Sequence, residues 1–417
     1  MVAGLEEELR RWREDSRAGG PLEKHRSQLD AVLALLGAGV ADVRARLADG
    51  RGDEVPGRVL DLHHVWDFYR TRFLLRRVRD YRRFLDAADE LAWECYGPVL
   101  RLAGGRPKEP PLVGFSRAAS PRAHRRGSAY HDLLPRGGIH TREGREAAAR
   151  LPFPVIDVPW SFGSHLPALL TVAHEAAHHI DDDCGLGAEI RRRIGAAGLP
   201  PDRAAHWERW AGEAFADVCA AVLCGPAYAA VLAELLGPGD DVDERDDVDE
   251  RDFDGPHPPP AARLRLAGAA ARLSGHPGAP DGTGDGHEAG VVAAALVAGG
   301  WSGLDGLSLT ELFGAGRPDV PAGARRLLAG GPSRCPSAAG VLAAAALAFQ
   351  CDPATYDRQA VGDRAVAEVL RLRSAGTRAV SSPDPSAAAR RRAHTEAGRA
   401  VLTALDATKD PTHGVSG

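Results

Sequence analysis

The 417-residue chain has few cysteines and no long apolar run. Its six cysteines include no C-x-x-C pair, which excludes a dense disulfide framework and is typical of reduced, mostly buried thiols in a cytoplasmic protein. The first residues are charged from Glu6 onward and do not resemble a signal peptide. The two most apolar windows, 289–301 and 338–349, are shorter than the roughly 20 residues that span a bilayer. We therefore expect buried helices there and no integral membrane segment.

A concentrated basic face is also missing. The formal net charge is -5, and residues 240–254 alone hold ten acids against two arginines. A nucleic-acid partner would require clustered positive charge, so none is expected. The acidic stretch contains DDVDER twice in tandem, which predicts a solvated loop. A calcium site is the alternative, although the glycine of a calcium-binding loop is absent.

The first quarter of the chain has the periodicity of helices. Apolar residues recur at helical spacing through residues 1–104, and Gly97 with Pro98 is predicted to stop or kink the last helix. Seven arginines lie between positions 70 and 83. They predict a solvated face paired with nearby aspartates, with a binding surface as the alternative.

The rest of the chain mixes loops, one short strand and further helices. Residues 105–150 are rich in Gly, Pro, Arg and Ser, which predicts loops. Residues 154–160 predict a strand, which Pro159 restricts to a sheet edge or a strand end. Helices are then predicted over 166–182, 203–224 and 226–236, and again beyond 259, with a frayed tail after 408. The expected organisation is an N-terminal helical region (1–104), a core (105–275) and a C-terminal helical region (276–417).

The segment 171–180 contains the pattern H-E-x-x-H. A spacing of four residues places His174 and His178 on one helix face, where two imidazoles can converge on a single ion. Glu175 lies beside that ion and can exchange a proton with an attacking water. Imidazole and carboxylate ligands favour one Zn²⁺ ion. A solvated helix face is the alternative, but the surrounding apolar residues predict burial, and buried histidines need partners.

A second helix is predicted to supply the third ligand. Glu213 and Asp217 are four residues apart, so one acid can bind the ion while the other accepts a hydrogen bond from a ligand histidine. An acid pair near a helix N-terminus is the alternative. Cys184 is a rival third ligand, since it follows His178 by six residues, but Asp181 stands where the matching pattern requires glycine. His179 is directed off the ligand face, and the three aspartates that follow are predicted to end the helix.

These residues together resemble the gluzincin zinc peptidases, and most closely the branch of HtpX-type heat-shock proteases and type I CAAX prenyl proteases. That branch pairs H-E-x-x-H with E-x-x-A-D, which residues 213–217 (EAFAD) match. Residues 257–263 (HPPPAAR) are similar to its H-P-x-x-x-x-R segment. The similarity covers roughly residues 155–270. The transmembrane helices of that branch have no counterpart here.

The resemblance implies hydrolysis of a peptide or protein substrate by a soluble bacterial member of this group. It implies His174, His178 and Glu213 as zinc ligands, with Glu175 as general base and acid. It also implies that Asp217 orients a ligand, and that a mainly helical catalytic domain contains a small β-sheet.

Other roles rest on chemistry alone. His257 is the first candidate donor to the oxyanion, with a loop cap as its alternative role, and Tyr228 is the second candidate. Arg263 is expected to tie its helix to the acidic site or to a carbonyl. The strand at 155–158 is a candidate edge for an extended peptide.

A zinc-containing regulatory or interaction module with weak or gated activity is the alternative function. Structural zinc sites usually have four protein ligands, whereas catalytic sites have three and a water. Three ligands beside an uncommitted Glu175 favour catalysis.

Overall fold

The computed structural model describes residues 2–102, 109–126, 153–237, 257–278, 288–314 and 316–373. This part of the chain is mainly helical with one three-stranded sheet, so the expected mainly helical class with a small sheet is confirmed. The predicted acidic loop at 240–254 and the predicted frayed tail lie outside the described residues.

Four long helices come first. They are α1 (Val2–Asp15), α2 (Arg26–Ala48), α3 (Val55–Leu75) and α4 (Arg79–Tyr96). The apolar faces of α1 to α3 enclose one hydrophobic cluster, which also contains Leu112, Phe153 and Val155. As expected at Gly97 and Pro98, α4 ends at Tyr96 and is followed by a 3₁₀ turn.

The prediction of a solvated arginine face is wrong at two positions, one on α3 (Arg72) and one just after it (Arg76). Arg76 is fully buried, and its guanidinium forms an ion pair with Asp89 of α4, with an Nη2–Oδ2 distance of 2.7 Å. Arg72 is nearly buried and grips Asp157 at the same distance. Because a buried guanidinium requires a paired carboxylate, both pairs lock α3 to its neighbours.

The sheet contains β1 (Leu112–Ser116), β2 (Arg122–His124) and β3 (Val155–Pro159) in the order β1-β3-β2. β3 is central, parallel to β1 and antiparallel to β2. Pro159 occupies the last position of β3, in agreement with the predicted strand end. β1 and β2 lie in the segment that was predicted to be loop, so that prediction is wrong there.

The outer edge of β1 is covered by side chains. The N–H of Val113 donates to Asp89, and its carbonyl accepts from Arg76. An exposed strand edge would offer these groups to another chain. The Arg76–Asp89 pair therefore closes this side of the sheet as well as joining α3 to α4.

Six helices surround the predicted metal site. They are α5 (Thr171–Cys184), α6 (Gly187–Gly195), α7 (Pro201–Arg209), α8 (Ala211–Cys224), α9 (Pro226–Leu236) and α10 (Pro260–Leu273). Two 3₁₀ turns, Trp160–Ser164 and Leu166–Leu170, lead from β3 into α5. The helix predicted over 203–224 is divided at Trp210 into α7 and α8.

Six further helices complete the described chain. They are α11 (Glu288–Val297), α12 (Leu309–Leu312), α13 (Val320–Leu328), α14 (Ala338–Cys351), α15 (Pro353–Arg358) and α16 (Val361–Leu372). α14 packs against α4, α9 and the turn that precedes α5. As expected, the window 338–349 lies in a helix that buries most of its residues, and residues 289–297 of the other window do as well; residues 298–301 follow the end of α11.

Among the described residues, no single helix has both the length and the apolar character needed to cross a membrane. Only the bent pair of Glu288–Val297 and Ser302–Leu312, taken together, meets those two requirements.

Candidate metal centre

Helices α5 and α8 pack against each other and bring three ligand-type side chains together. His174 and His178 lie one turn apart on α5, and Glu213 lies in the first turn of α8. The two Nε2 atoms are 3.2 Å apart. The carboxylate oxygens of Glu213 lie 3.3 Å from His174 Nε2 and 3.4 Å from His178 Nε2.

These separations fit a single zinc ion. A tetrahedral ion with bonds of about 2.0–2.1 Å holds its ligand atoms about 3.3 Å apart. All three measured separations are within 0.1 Å of that value. His178 and Glu213 keep side-chain exposures of 18% and 20%, so a fourth position can open toward solvent. The residues present therefore fit zinc in a three-ligand site.

Electrostatics at the site favours a cation. Burial opposes charge on His174, yet the carboxylate of Asp217 outweighs it and raises the pKa of His174 to about 10. Burial, together with the charge of His174, lowers the pKa of His178 to about 4. Burial alone would raise the pKa of Glu213, but the hydrogen bond and charges of the two histidines lower it to about 2. The carboxylates of Asp217 and Glu213 thus stabilise one positive charge at His174, and that charge helps to disfavour a second one on His178.

Glu175 is buried beside the ligand group. Burial raises its pKa above the ordinary value, against the opposing charge of His174. Its carboxylate accepts a hydrogen bond from the backbone of Ala123 in β2. A carboxylate with a raised pKa is a better proton acceptor near neutral pH. Glu175 therefore has the properties of a general base. It also links α5, here called the metal helix because it carries His174 and His178, to the sheet.

Asp217 is fully buried on α8, behind His174. Its Oδ1 lies 2.8 Å from His174 Nδ1. Arg263 of α10 donates to both carboxylate oxygens, at 2.7 and 2.8 Å, which is the tie that was expected of it. Although burial opposes ionisation, this guanidinium holds the pKa of Asp217 well below its usual range. Asp217 is therefore an ionised acceptor for the far nitrogen of His174.

The two candidate oxyanion donors have different surroundings. His257 is 53% exposed at the rim of the site, with its Nε2 3.6 Å from a carboxylate oxygen of Glu213. Tyr228 is buried at 1% exposure, and its hydroxyl donates to Asp217 at 2.6 Å. Because that contact lies on the far side of His174 from the ligand group, the expectation that Tyr228 reaches an oxyanion is wrong. His257 stays a prediction.

The rival ligands lie elsewhere. Cys184, at the end of α5, is outside the group of converging ligand atoms. His179 is buried at 1% exposure, and burial lowers its pKa to about 3.

The prediction that the three aspartates end the helix agrees with the structure to within one residue, since α5 ends at Cys184 and is followed by Gly185 with a φ of +65°. Asp182 pairs with Arg125 at 2.8 Å, and Asp183 lies 3.6 Å from Arg126. These pairs tie the residues that follow β2 to the metal helix.

The geometry of the sheet changes the expectation for peptide binding. β3 is paired on both sides over residues 155–157, so these residues cannot accept an added strand as predicted. Within the described part of the chain β2 is an outer strand, and its Ala123 contacts Glu175. β2 could not be predicted from the sequence, because a strand of three residues carries no detectable alternation of apolar and polar side chains.

A second group of ligand-type side chains lies far along the chain from the H-E-x-x-H segment. His25, Asp86 and Asp89 are buried and close enough to share an ion. Asp89 is gripped by Arg76, and Asp86 lies 3.0 Å from Arg373. Because guanidinium groups already neutralise both acids, this group is a structural ion-pair cluster.

Comparison of the chain with known protein families, curated proteins and solved structures finds no match. The resemblance to the gluzincin peptidases therefore rests on the motifs of this chain and on the arrangement of their side chains.

Proposed function

We propose that the chain is a zinc-dependent peptidase of the gluzincin type. The observation that carries the proposal is the convergence of His174, His178 and Glu213 at separations suited to one tetrahedral zinc ion. Glu175, on the same helix, is a buried carboxylate with a raised pKa. Two histidines and one carboxylate form one of the ligand sets of catalytic zinc sites, and an adjacent glutamate can serve as the general base for hydrolysis.

Each residue has a role in this mechanism. Zinc held by the three ligands would polarise the scissile carbonyl and lower the pKa of the attacking water. Glu175 accepts the proton of that water and returns it to the leaving amine. Asp217 holds the ring of His174 in place through Nδ1. His257, at the exposed rim, is the proposed donor to the developing oxyanion.

The outer strand β2 supports a peptide as the substrate. An extended peptide can add to a strand edge through main-chain hydrogen bonds. Ala123 of β2 lies within hydrogen-bond reach of Glu175, so a chain added there would pass the general base. A strand edge of this kind would bind an extended backbone, so a peptide is the substrate class that it favours.

The ligand count argues against a purely structural zinc site. Among the described residues, the group that includes the H-E-x-x-H histidines has three members. Structural zinc sites are usually closed by four protein ligands. The partial exposure of His178 and Glu213 is suited to a substrate or water in the fourth position.

The decisive experiment compares zinc content and cleavage of a broad peptide library. Glu175→Gln should keep zinc and lose about 10²- to 10⁴-fold in kcat, because general acid–base catalysis typically contributes that much. Glu213→Ala should lose both zinc and activity. Glu208→Gln, in the neighbouring helix α7 and outside the ligand group, is the matched control and should behave as the wild type.

Three results would overturn parts of the proposal. Full activity in Glu175→Gln would remove it as general base. Wild-type zinc affinity in Glu213→Ala would remove it as third ligand. A zinc-loaded wild type that cleaves no peptide would favour the regulatory alternative.

A further inference from the structure

The turn between α8 and α9 brings a tyrosine over the carboxylate behind the metal site. Gly225, with φ +67° and ψ -153°, separates the two helices, and Pro226 begins α9. These dihedrals are almost exclusive to glycine. The resulting hairpin places Tyr228, in the first turn of α9, against Asp217 in the second turn of α8.

Asp217 is saturated with hydrogen bonds. Its Oδ1 receives the hydroxyl of Tyr228 at 2.6 Å, the Nδ1 of His174 at 2.8 Å and one nitrogen of Arg263 at 2.8 Å. Its Oδ2 receives the other Arg263 nitrogen at 2.7 Å. Donors from three other helices therefore fix one fully buried carboxylate, and its orientation is determined by all of them.

The orientation of this carboxylate decides which nitrogen of His174 can bind a cation. A lone pair on Nε2 requires the proton on Nδ1, and that proton requires a fixed acceptor. The hydroxyl of Tyr228 is also 3.2 Å from Nδ1. If the hydroxyl donated to Nδ1 instead of Asp217, the ring proton would move to Nε2 and block the metal. The shorter contact to Asp217 keeps the hydroxyl off the ring.

We propose that Tyr228 is a positioning residue for zinc. By donating to Asp217, it holds Oδ1 as the acceptor for His174 Nδ1–H and keeps the Nε2 lone pair on the metal side. The inference rests on the proposed zinc site and adds to it a residue that lies outside the three sequence motifs. It also explains why a fully buried tyrosine hydroxyl is aimed at the back of the site.

The test is zinc affinity and zinc release, measured with zinc alone by chelator competition on the full chain. Tyr228→Phe should weaken zinc binding by about tenfold, the lower end of the effect of an outer-sphere partner. Tyr96→Phe is the matched control. The Tyr96 hydroxyl is also buried and donates to Asp183 on the metal helix, away from the ligands, so its loss should leave zinc affinity unchanged.

A double-mutant cycle separates positioning from packing. If Tyr228 acts through Asp217, Tyr228→Phe should have no further effect on zinc affinity in the Asp217→Asn background. In the zinc-loaded protein, Tyr228→Phe should also shift the NMR resonance of the proton on His174 Nδ1. Both readouts are independent of catalysis.

Each result has a defined meaning. Wild-type zinc affinity in Tyr228→Phe, or a full additional loss in the Asp217→Asn background, overturns the inference. If zinc binding depends on Tyr228 but the protein cleaves no peptide, the inference is supported and the proposed catalysis is contradicted. A wild type that takes up no zinc overturns both.

Discussion

Three buried aspartates in this protein are each paired with one arginine. The ion pairs are Asp217 with Arg263, Asp157 with Arg72 and Asp89 with Arg76. Each pair joins two different elements, and one of them stands directly behind the metal site. Breaking such a pair leaves a buried charge without compensation, which costs far more than the loss of a surface ion pair. These pairs therefore determine how the elements are positioned.

Asp157 provides a pH test of this principle. Burial alone would raise the pKa of Asp157, but Arg72 and His124 hold it below its ordinary value of 3.8. The folded protein then binds fewer protons here than the unfolded chain does. The stabilisation is present above about pH 4 and is lost as the pH falls through the folded-state pKa. Asp157→Asn should destabilise the protein by about 3 kcal/mol at pH 7, and the difference from wild type should shrink as the pH falls below about 4.

Urea unfolding at several pH values measures this difference directly. Asp363→Asn is the control, because Asp363 is 75% exposed in its pair with Arg83, and a surface pair contributes about 0–1 kcal/mol. A difference for Asp157→Asn that stayed constant from pH 7 to pH 2 would contradict the assigned ionisation.

Most of the candidate site could be predicted at the residue scale, since its spacing is local. His174, Glu175 and His178 share one helix, so their relative positions follow from helix geometry. Glu213 was found through a second motif, and the structure brings it to the two histidines. Tyr228 was named as a second candidate oxyanion donor, but its hydroxyl donates to Asp217, because the direction of the α8–α9 turn decides which face of His174 it meets. That direction is a tertiary property.

At the element scale, the sequence predicted helices better than strands. The helical periodicity of α4, α5 and α9 is visible within each segment. β1 and β2 are short and pair with β3, which lies about 40 residues further along for β1, so no local pattern reports them. For the same reason the two buried arginines near α3 were predicted to be solvated: their partners lie on other elements.

The α8–α9 turn gives a prediction at this scale. A Cβ on Gly225 would lie 2.6 Å from His276 Nδ1, and the backbone has φ +67°. Gly225→Ala should therefore destabilise the protein by about 1–3 kcal/mol from backbone strain, and further because His276 must move. It should also weaken zinc binding, since the strain displaces Tyr228.

The control for Gly225→Ala is Gly37→Ala. Gly37 is exposed within α2, and a Cβ there would meet nothing within 4 Å. Alanine should stabilise that helix by about 0.4–1 kcal/mol. Thermal unfolding and chelator competition would measure both variants. If Gly225→Ala is destabilised but its zinc affinity is unchanged, the turn does not influence zinc binding and this prediction is contradicted.

At the scale of the whole molecule, the metal helix lies inside a core shared by distant parts of the sequence. Residues of α4, α5, α8, α14 and α16 belong to one hydrophobic cluster. Glu94 of α4 accepts a hydrogen bond from the backbone of Ala339 at the start of α14. The division into regions at 104 and 275 stays a prediction, and this continuity of packing makes it testable.

Zinc-linked stability tests that division. A ligand that binds only the folded state stabilises it by about 2.7 kcal/mol at 100 times its dissociation constant, which for a chain of this size corresponds to about 3 °C in Tm. Because the core is continuous around α5, we expect zinc to shift one cooperative transition of the whole described fold. Glu213→Ala should show no shift, and a chelator should reverse the effect in the wild type. Two transitions, of which zinc moves only one, would indicate that the region 105–275 unfolds separately from the helical regions on either side of it. Calorimetry with and without zinc distinguishes these outcomes. If zinc does not shift the Tm of the wild type at all, the proposed metal site is itself contradicted.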